Sequence, residues 1–155
     1  MEKTNKILLF FAISAAVILT DQAVKFIVRH KLTEGVSVKA IGNVVYFTYV
    51  KNRGAAFGMF QGGRWILAAI SLAVAIFMLF ELKFFLINKP VLVGGALLFG
   101  GIIGNLLDRV FLGFVTDFID FRFWPVFNIA DSCIDIGLLI IVIYLLFYDK
   151  KNSFG

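Results

Sequence analysis

One cysteine, one histidine and two prolines are all that this 155-residue chain holds of three residue types that often define small folds. The lone cysteine, Cys133, excludes an internal disulfide and says nothing firm about redox compartment. One His and one Cys make a poor ligand set, so neither a metal nor another cofactor is expected. Basic residues outnumber acidic ones, 15 to 10, yet they are dispersed and form no continuous run. Nucleic acid is therefore not an expected partner, and flanking of membrane spans explains the basic residues better. No internal repeat or low-complexity stretch stands out.

What the chain has in excess is apolar residues: 61% are hydrophobic, 19 are Phe, and the mean hydropathy is +0.95. Soluble domains run closer to half apolar, so a single small membrane domain over 1–155 is expected. A bilayer core of about 30 Å needs about 20 helical residues. Four segments qualify, near 7–28, 64–87, 91–112 and 129–148. The last holds one charge, Asp135, between Ile134 and Tyr148. The third carries Ala96, Gly100 and Gly104 at a spacing of four, a small-residue stripe suited to helix packing. Lys3 and Lys6 ahead of an apolar core resemble a cleavable leader, but the apolar run continues to Val28 and three more spans follow. Four spans place both termini on one side, with Lys3, Lys6, Lys83, Lys89, Lys150 and Lys151. That side is read as cytoplasmic, although Arg29, Lys31, Lys39, Lys51, Arg53, Arg64 and Arg122 opposite keep the raw count from deciding.

The connection over 29–63 has strand character. Residues 44–50 read VVYFTYV, β-branched and aromatic, punctuated by Gly35, Gly42 and Asn43. The expected architecture is a membrane all-α bundle of four transmembrane helices with a small β-sheet on the outer face. A second outer connection, 113–128, carries Asp117.

Polar residues at membrane depth are costly and functional by default. Asp21 and Lys25 are four apart and pair on one helix face, which reads first as a brace at the helix end. Asn52 lies in KNRGAAFG, where Gly54 and Gly58 permit a tight turn. Asn105, Asp108 and Arg109 lie in GNLLDR. Arg109 either snorkels to headgroups or joins Asn105 in holding a carbonyl or a headgroup. Asn128 and Asp131 have the spacing of an N-cap and N3 pair. A helix N-terminus favours a charged carboxylate at Asp131. Asp135, one turn further, is read as a buried, protonated or paired acid without an assigned role. Asp117 and Asp131 suggest a carboxylate pair that shares a proton and a water. Asp120 competes with Asp117, but strand alternation along VTDFID turns the two to opposite faces.

Taken together, DQAVK at 21–25, KNRGAAFG at 51–58, GNLLDR at 104–109, VTDFID at 115–120 and FNIADS at 127–132 resemble the lipoprotein signal peptidase (signal peptidase II) family. The likeness spans nearly the whole chain. It implies an aspartic endopeptidase of the bacterial cytoplasmic membrane, active at the outer face. That enzyme removes the signal peptide from prolipoproteins, cutting just before a cysteine that carries a diacylglyceryl group. It implies Asp117 and Asp131 as the catalytic dyad and Asn128 as a residue that orients it. Asn52, Asn105 and Arg109 would bind substrate, with Asp21, Lys25 and Asp108 in support. It also implies contact with membrane lipids, action as a monomer, and sensitivity to the peptide antibiotic globomycin. Two departures stand out. The segment FIDFRFWPVFNIA between the acids is shorter than in many members, and Thr116 stands where Val is frequent, with little consequence expected. Rival readings are a small transporter, for which charges belong near mid-bilayer, and a non-catalytic assembly factor, which leaves the acid pair unexplained. A different intramembrane aspartic protease would carry a G-x-G-D motif, which is absent.

Overall fold

The computed structural model describes residues 1–54 and 63–147. Residues 55–58 of the KNRGAAFG block, Tyr148, Lys150 and Lys151 lie outside the described residues. Helix α1 runs Lys3–Lys31, strand β1 Ser37–Ile41 and strand β2 Val45–Asn52. Helix α2 (Arg64–Phe80), the short α3 (Leu82–Phe85), helix α4 (Lys89–Phe111), strand β3 (Val115–Asp120) and helix α5 (Ile129–Phe147) follow. Three helices, α1, α4 and α5, are long and apolar enough to cross a membrane. The second expected span is interrupted. α2 stops after 17 residues, about 25 Å of helix at 1.5 Å per residue. Glu81 leaves the helical conformation (φ −89°, ψ 17°), and Phe85 and Leu86 then turn back into the core beside Phe10. The ammonium of Lys6 donates to the carbonyls of Leu86 (2.7 Å) and Ile87 (3.2 Å) in this turn. Asn88 restarts the chain by capping α4, its Oδ1 accepting from the Val91 N–H at 3.0 Å, with Pro90 in the first turn.

α4 is the central helix: 61% of its apolar window is buried, against 22% for α1 and 17% for α5. Small residues make that position available. The expected stripe faces α1. Ser14 Oγ donates to the carbonyl of Ala96 at 3.0 Å, and a Cβ at Gly100 would lie 2.8 Å from Val17 Cβ. A Cβ at Gly104 would lie 2.9 Å from Asp21 Oδ2. A second set faces α5: Gly94 opposes Gly137, and Gly101 opposes the carbonyl of Ala130. Close backbone approach of this kind supplies the packing that lipid cannot drive by the hydrophobic effect.

The three strands form one antiparallel sheet in the order β1-β2-β3. The sheet was expected from 29–63 alone, but the second connection contributes its third strand. β3 pairs Asp117 with Val50, Thr116 with Lys51 and Val115 with Asn52. It is buried on both faces. Phe118 packs with Val28 and Tyr49 over the end of α1, and Asp117 faces the other way.

Substituting Gly101 by Ala would drive a Cβ into the backbone oxygen of Ala130, which has no flexible end to move aside. Overpacking of this kind costs about 1–3 kcal/mol, set against a helix-propensity gain of about 1 kcal/mol. Gly101→Ala should therefore lower the thermal unfolding midpoint in detergent. An unchanged midpoint would mean that α4 and α5 do not meet this closely.

Candidate active site

The polar ends of α1, α4 and α5 converge beneath the sheet. Asp117 enters from β3 and receives two amides: Asn52 Nδ2 donates to its Oδ2 (2.9 Å) and Asn128 Nδ2 to its Oδ1 (2.7 Å). Asn52 is itself fixed, because its Oδ1 accepts the N–H of Gly54 at 3.0 Å. Asp131 sits in the first turn of α5. Its Oδ1 accepts from Asn105 Nδ2 at 2.7 Å and its Oδ2 from the backbone N–H of Asn128 at 3.2 Å. Asn128 Oδ1 accepts the Asp131 N–H in return, at 2.9 Å. The expected cap is thus present as a reciprocal capping box with Asp at N3. Asn128 joins the two acids: its fully buried side chain caps the helix that carries Asp131 while donating to Asp117.

Asn105 lies below this pair, buried, and does not line the cavity that both acids face. Its Nδ2 is spent on Asp131, and its Oδ1 accepts from Lys25 Nζ (2.8 Å) and Asn128 Nδ2 (3.2 Å). Lys25 pairs with Asp21 at 2.8 Å and with Asp108 at 3.3 Å. All three are essentially inaccessible to solvent. Each carboxylate then holds a different element of the site. Asp21 Oδ1 accepts the N–H of Ala130 in α5 (2.9 Å), and Asp108 Oδ2 accepts the N–H of Thr116 in β3 (2.9 Å).

Three further residues belong to this network. Gln22 Nε2 donates to the carbonyl of Gly104 (3.0 Å) and to Asp108 Oδ1 (3.2 Å). Arg29 Nη1 donates to Thr116 Oγ1 (3.0 Å) and lies 3.7 Å from Asp108 Oδ1. Thr116 is therefore a partner, not a neutral replacement for Val. The signal for Gln22 and Arg29 was present: with Asp21 and Lys25 they mark one polar face of α1 at helical spacing.

The cavity has a volume of about 640 Å³. Asn52, Arg109, Asp117 and Asp131 form its polar side, with Phe121 and Trp124 on its apolar wall. Arg109 makes no hydrogen bond or ion pair to another described residue through its guanidinium. The end of α4 is instead satisfied by Arg64, which donates to the carbonyls of Arg109 (2.7 Å) and Val110 (2.6 Å). Asp135 also lines the cavity and is exposed there, rather than buried against a partner as expected. Asp120 points away from the acid pair and accepts from Thr48 Oγ1 at 2.6 Å.

Burial and the neighbouring negative charge of Asp131 push the Asp117 carboxyl up to about 7, with the Asn52 and Asn128 amides pulling the other way. For Asp120, burial also raises, but Thr48, the Arg122 N–H and the Arg122 guanidinium outweigh it and hold the carboxyl below its ordinary value.

Replacing Lys25 by Met would leave the Asp21 and Asp108 carboxylates buried without their shared cation. Breaking a buried pair from one side costs about 3–5 kcal/mol. Lys25→Met should therefore lower the thermal midpoint in detergent sharply, and adding Asp21→Asn should restore part of the loss. A Lys25→Met protein as stable as the parent would show that the network is not what holds these elements together.

Residues 13–147 match the family model described as Signal peptidase (SPase) II. The lipoprotein signal peptidase of Halothermothrix orenii is 41% identical over 137 residues, covering 88% of this chain and 94% of the relative. That of Clostridioides difficile is 40% identical over 147 residues, covering 94% and 99%. Two bacterial membrane enzymes solved by the in meso method, each 34% identical, superpose with TM-scores of 0.83 and 0.76. The first alignment covers 97% of this chain and 92% of that structure, the second 94% of each. A match of this extent, over a chain in which Asp21, Asn52, Asn105, Asp117 and Asp131 meet at one site, establishes that the protein belongs to the signal peptidase II family.

Proposed function

We propose that this peptidase removes the signal peptide from diacylglyceryl-modified prolipoproteins by an aspartic mechanism, cutting just before the lipidated cysteine. One observation carries the mechanism: Asp117 and Asp131 arrive from separate elements, face one cavity, and are each held by side-chain or backbone N–H donors. Two close carboxylates share one proton more readily than both ionise. Asp131 lies in the field of a helix N-terminus, which favours negative charge. Asp117 lies on a strand without such a field and is the proton carrier.

In this reading Asp131 takes a proton from water as the water oxygen bonds to the scissile carbonyl carbon. Asp117 hydrogen-bonds the carbonyl oxygen. When the tetrahedral intermediate collapses and the C–N bond breaks, the leaving amine takes a proton from the pair. Arg109 faces the cavity and holds the peptide backbone or the lipid-bearing region. Asn52, Asn105 and Asn128 keep the carboxylates aimed, and burial of the acyl chains contributes about 0.8 kcal/mol for each CH₂.

The same reading assigns four crossings, with α2 and α3 together making the second. Met1, Lys3, Lys6 and Lys83 gather at the end of the bundle away from the acids. In this reading that end is cytoplasmic and the sheet end outer, in the bacterial cytoplasmic membrane, because basic residues in the folded 29–63 connection weigh less under the positive-inside rule than those in short flanks. A monomer is the working unit in this reading.

Asp117→Asn and Asp131→Asn should each lower kcat by at least about 10³-fold, in line with loss of a general acid or base, while Asp120→Asn stays far more active. Cleavage of a diacylglyceryl-modified prolipoprotein in detergent decides this; substantial turnover by either single dyad variant would sink the assignment. The reaction should also weaken as pH rises through about 7, because Asp117 then loses the proton the mechanism needs. Removing the Asn52 amide deletes a donor that favours the charged form, so Asn52→Leu should move that alkaline limb to higher pH. A limb that stays in place, or activity that keeps climbing above neutrality, would contradict Asp117 as the proton carrier.

A further inference from the structure

Resting on that reading, we propose that Asp120 and Arg122 form a latch that sets the aromatic wall of the cavity, and that this wall takes an aliphatic chain of the substrate. The chain between β3 and α5 is a loop tied at its base. Ile119 N–H donates to the carbonyl of Phe127 (2.7 Å) and Phe127 N–H to that of Ile119 (3.1 Å). Within the loop, Arg122 has φ 67°, the one positive value at a non-glycine position among the described residues. Such a conformation persists only where the surroundings over-determine it. Here they do. The Arg122 N–H donates to Asp120 Oδ1 at 2.7 Å, its Nη1 lies 3.4 Å from Asp120 Oδ2, and its guanidinium sits over the Tyr46 ring, 3.8 Å from the centroid.

Asp120 is anchored in turn. Thr48 Oγ1 donates to Asp120 Oδ2, and a threonine hydroxyl has one hydrogen, so the 2.8 Å contact between Ser37 and Thr48 is donated by Ser37. The latch thus runs across all three strands before it reaches the loop. It fixes a turn that stacks Phe121 between Phe123 (6.0 Å) and Phe127 (5.7 Å). All three rings and Trp124 line the same cavity as Asp117 and Asp131. Phe123 and Trp124 remain 81% and 55% exposed. A wall of exposed aromatic faces beside a polar pair fits a flexible apolar group. That group is an aliphatic side chain of the peptide or an acyl chain on its cysteine. Asp120 and Arg122 are then positioning residues that act on substrate through the rings.

Trp124 supplies a readout independent of turnover. In a Trp65→Phe background its emission would be titrated with three synthetic peptides. One carries S-diacylglyceryl cysteine, one the unmodified cysteine, and one the lipidated cysteine with every aliphatic residue before it changed to alanine. Arg122→Gly removes the guanidinium while tolerating positive φ, and Thr48→Val removes the hydroxyl that holds Asp120. Each should weaken binding of the first peptide by about tenfold and raise KM similarly, with kcat and the thermal midpoint little changed. If the weakening disappears with the unmodified peptide, the wall holds an acyl chain; if it disappears with the alanine peptide, it holds a side chain. The latch is overturned if both variants bind all three peptides like the parent, if they lose kcat with KM intact, or if the Trp124 emission of the parent does not respond. Binding without cleavage by the parent would instead refute the proposed function and leave the wall standing.

Discussion

A single buried cation sets the geometry of this molecule. Lys25 leaves α1 where no water reaches it and meets two carboxylates and an amide oxygen. A lysine so placed is stable only if its charge is matched and its three protons are used. Asp21, Asp108 and Asn105 meet both conditions, one for each proton. Each partner is also tied to something else: Asp21 to the first turn of α5, Asp108 to β3, Asn105 to Asp131. The positions of Asp117 and Asp131 are therefore consequences of where Lys25 sits. A buried network of this kind is worth little as net stability compared with an apolar replacement. Its value is that it admits one arrangement of three helix ends and a strand.

The network forms only because the helices approach closely. Gly104 faces Asp21, and any Cβ there would press on the carboxylate that pairs with Lys25. Gly101 brings α4 against the carbonyl of Ala130, whose own N–H is the donor to Asp21. The glycines of α4 thus act twice, by packing the bundle and by admitting the polar ends to one another. In lipid, where apolar contacts between helices give no solvent-driven gain, the two effects reinforce each other.

The sequence carried a large part of this. Long apolar runs located three helices to within a few residues, since crossing length and hydropathy leave few alternatives. The second span was legible as apolar but not as broken, because Glu81 marks the break by conformation and not by composition. The third strand was hidden for a similar reason: VTDFID is covered on both faces, so it shows no simple polar and apolar alternation, and its partner β2 lies some 65 positions earlier in the chain. The Asn128 cap on the helix of Asp131 could be read from local spacing, whereas the choice of Asp117 over Asp120 leaned on the family resemblance. The burial of Asn105 could not be read in this way, because Lys25, which holds its amide oxygen, lies 80 positions away. Thr116 was passed over because its partner, Arg29, was read as a membrane flank instead of as part of the polar face of α1.

The same fold keeps two chemically identical side chains unequal. Asp131 is held at a helix N-terminus by a capping box, and the first N–H groups of α5 surround it with fixed positive dipole. Among the described residues Asp117 is offered the amide donors of Asn52 and Asn128, while burial and the charge opposite raise its affinity for a proton. A pair in identical surroundings would share its proton evenly and give neither member a defined task. Asn128 links the two environments: the same side chain that completes the cap on one acid donates to the other. Any shift of α5 that loosened the cap would also move the donor on Asp117. In the proposed mechanism the division of labour between base and acid follows from how one asparagine is shared, and the buried cation beneath it holds that asparagine's neighbours in place.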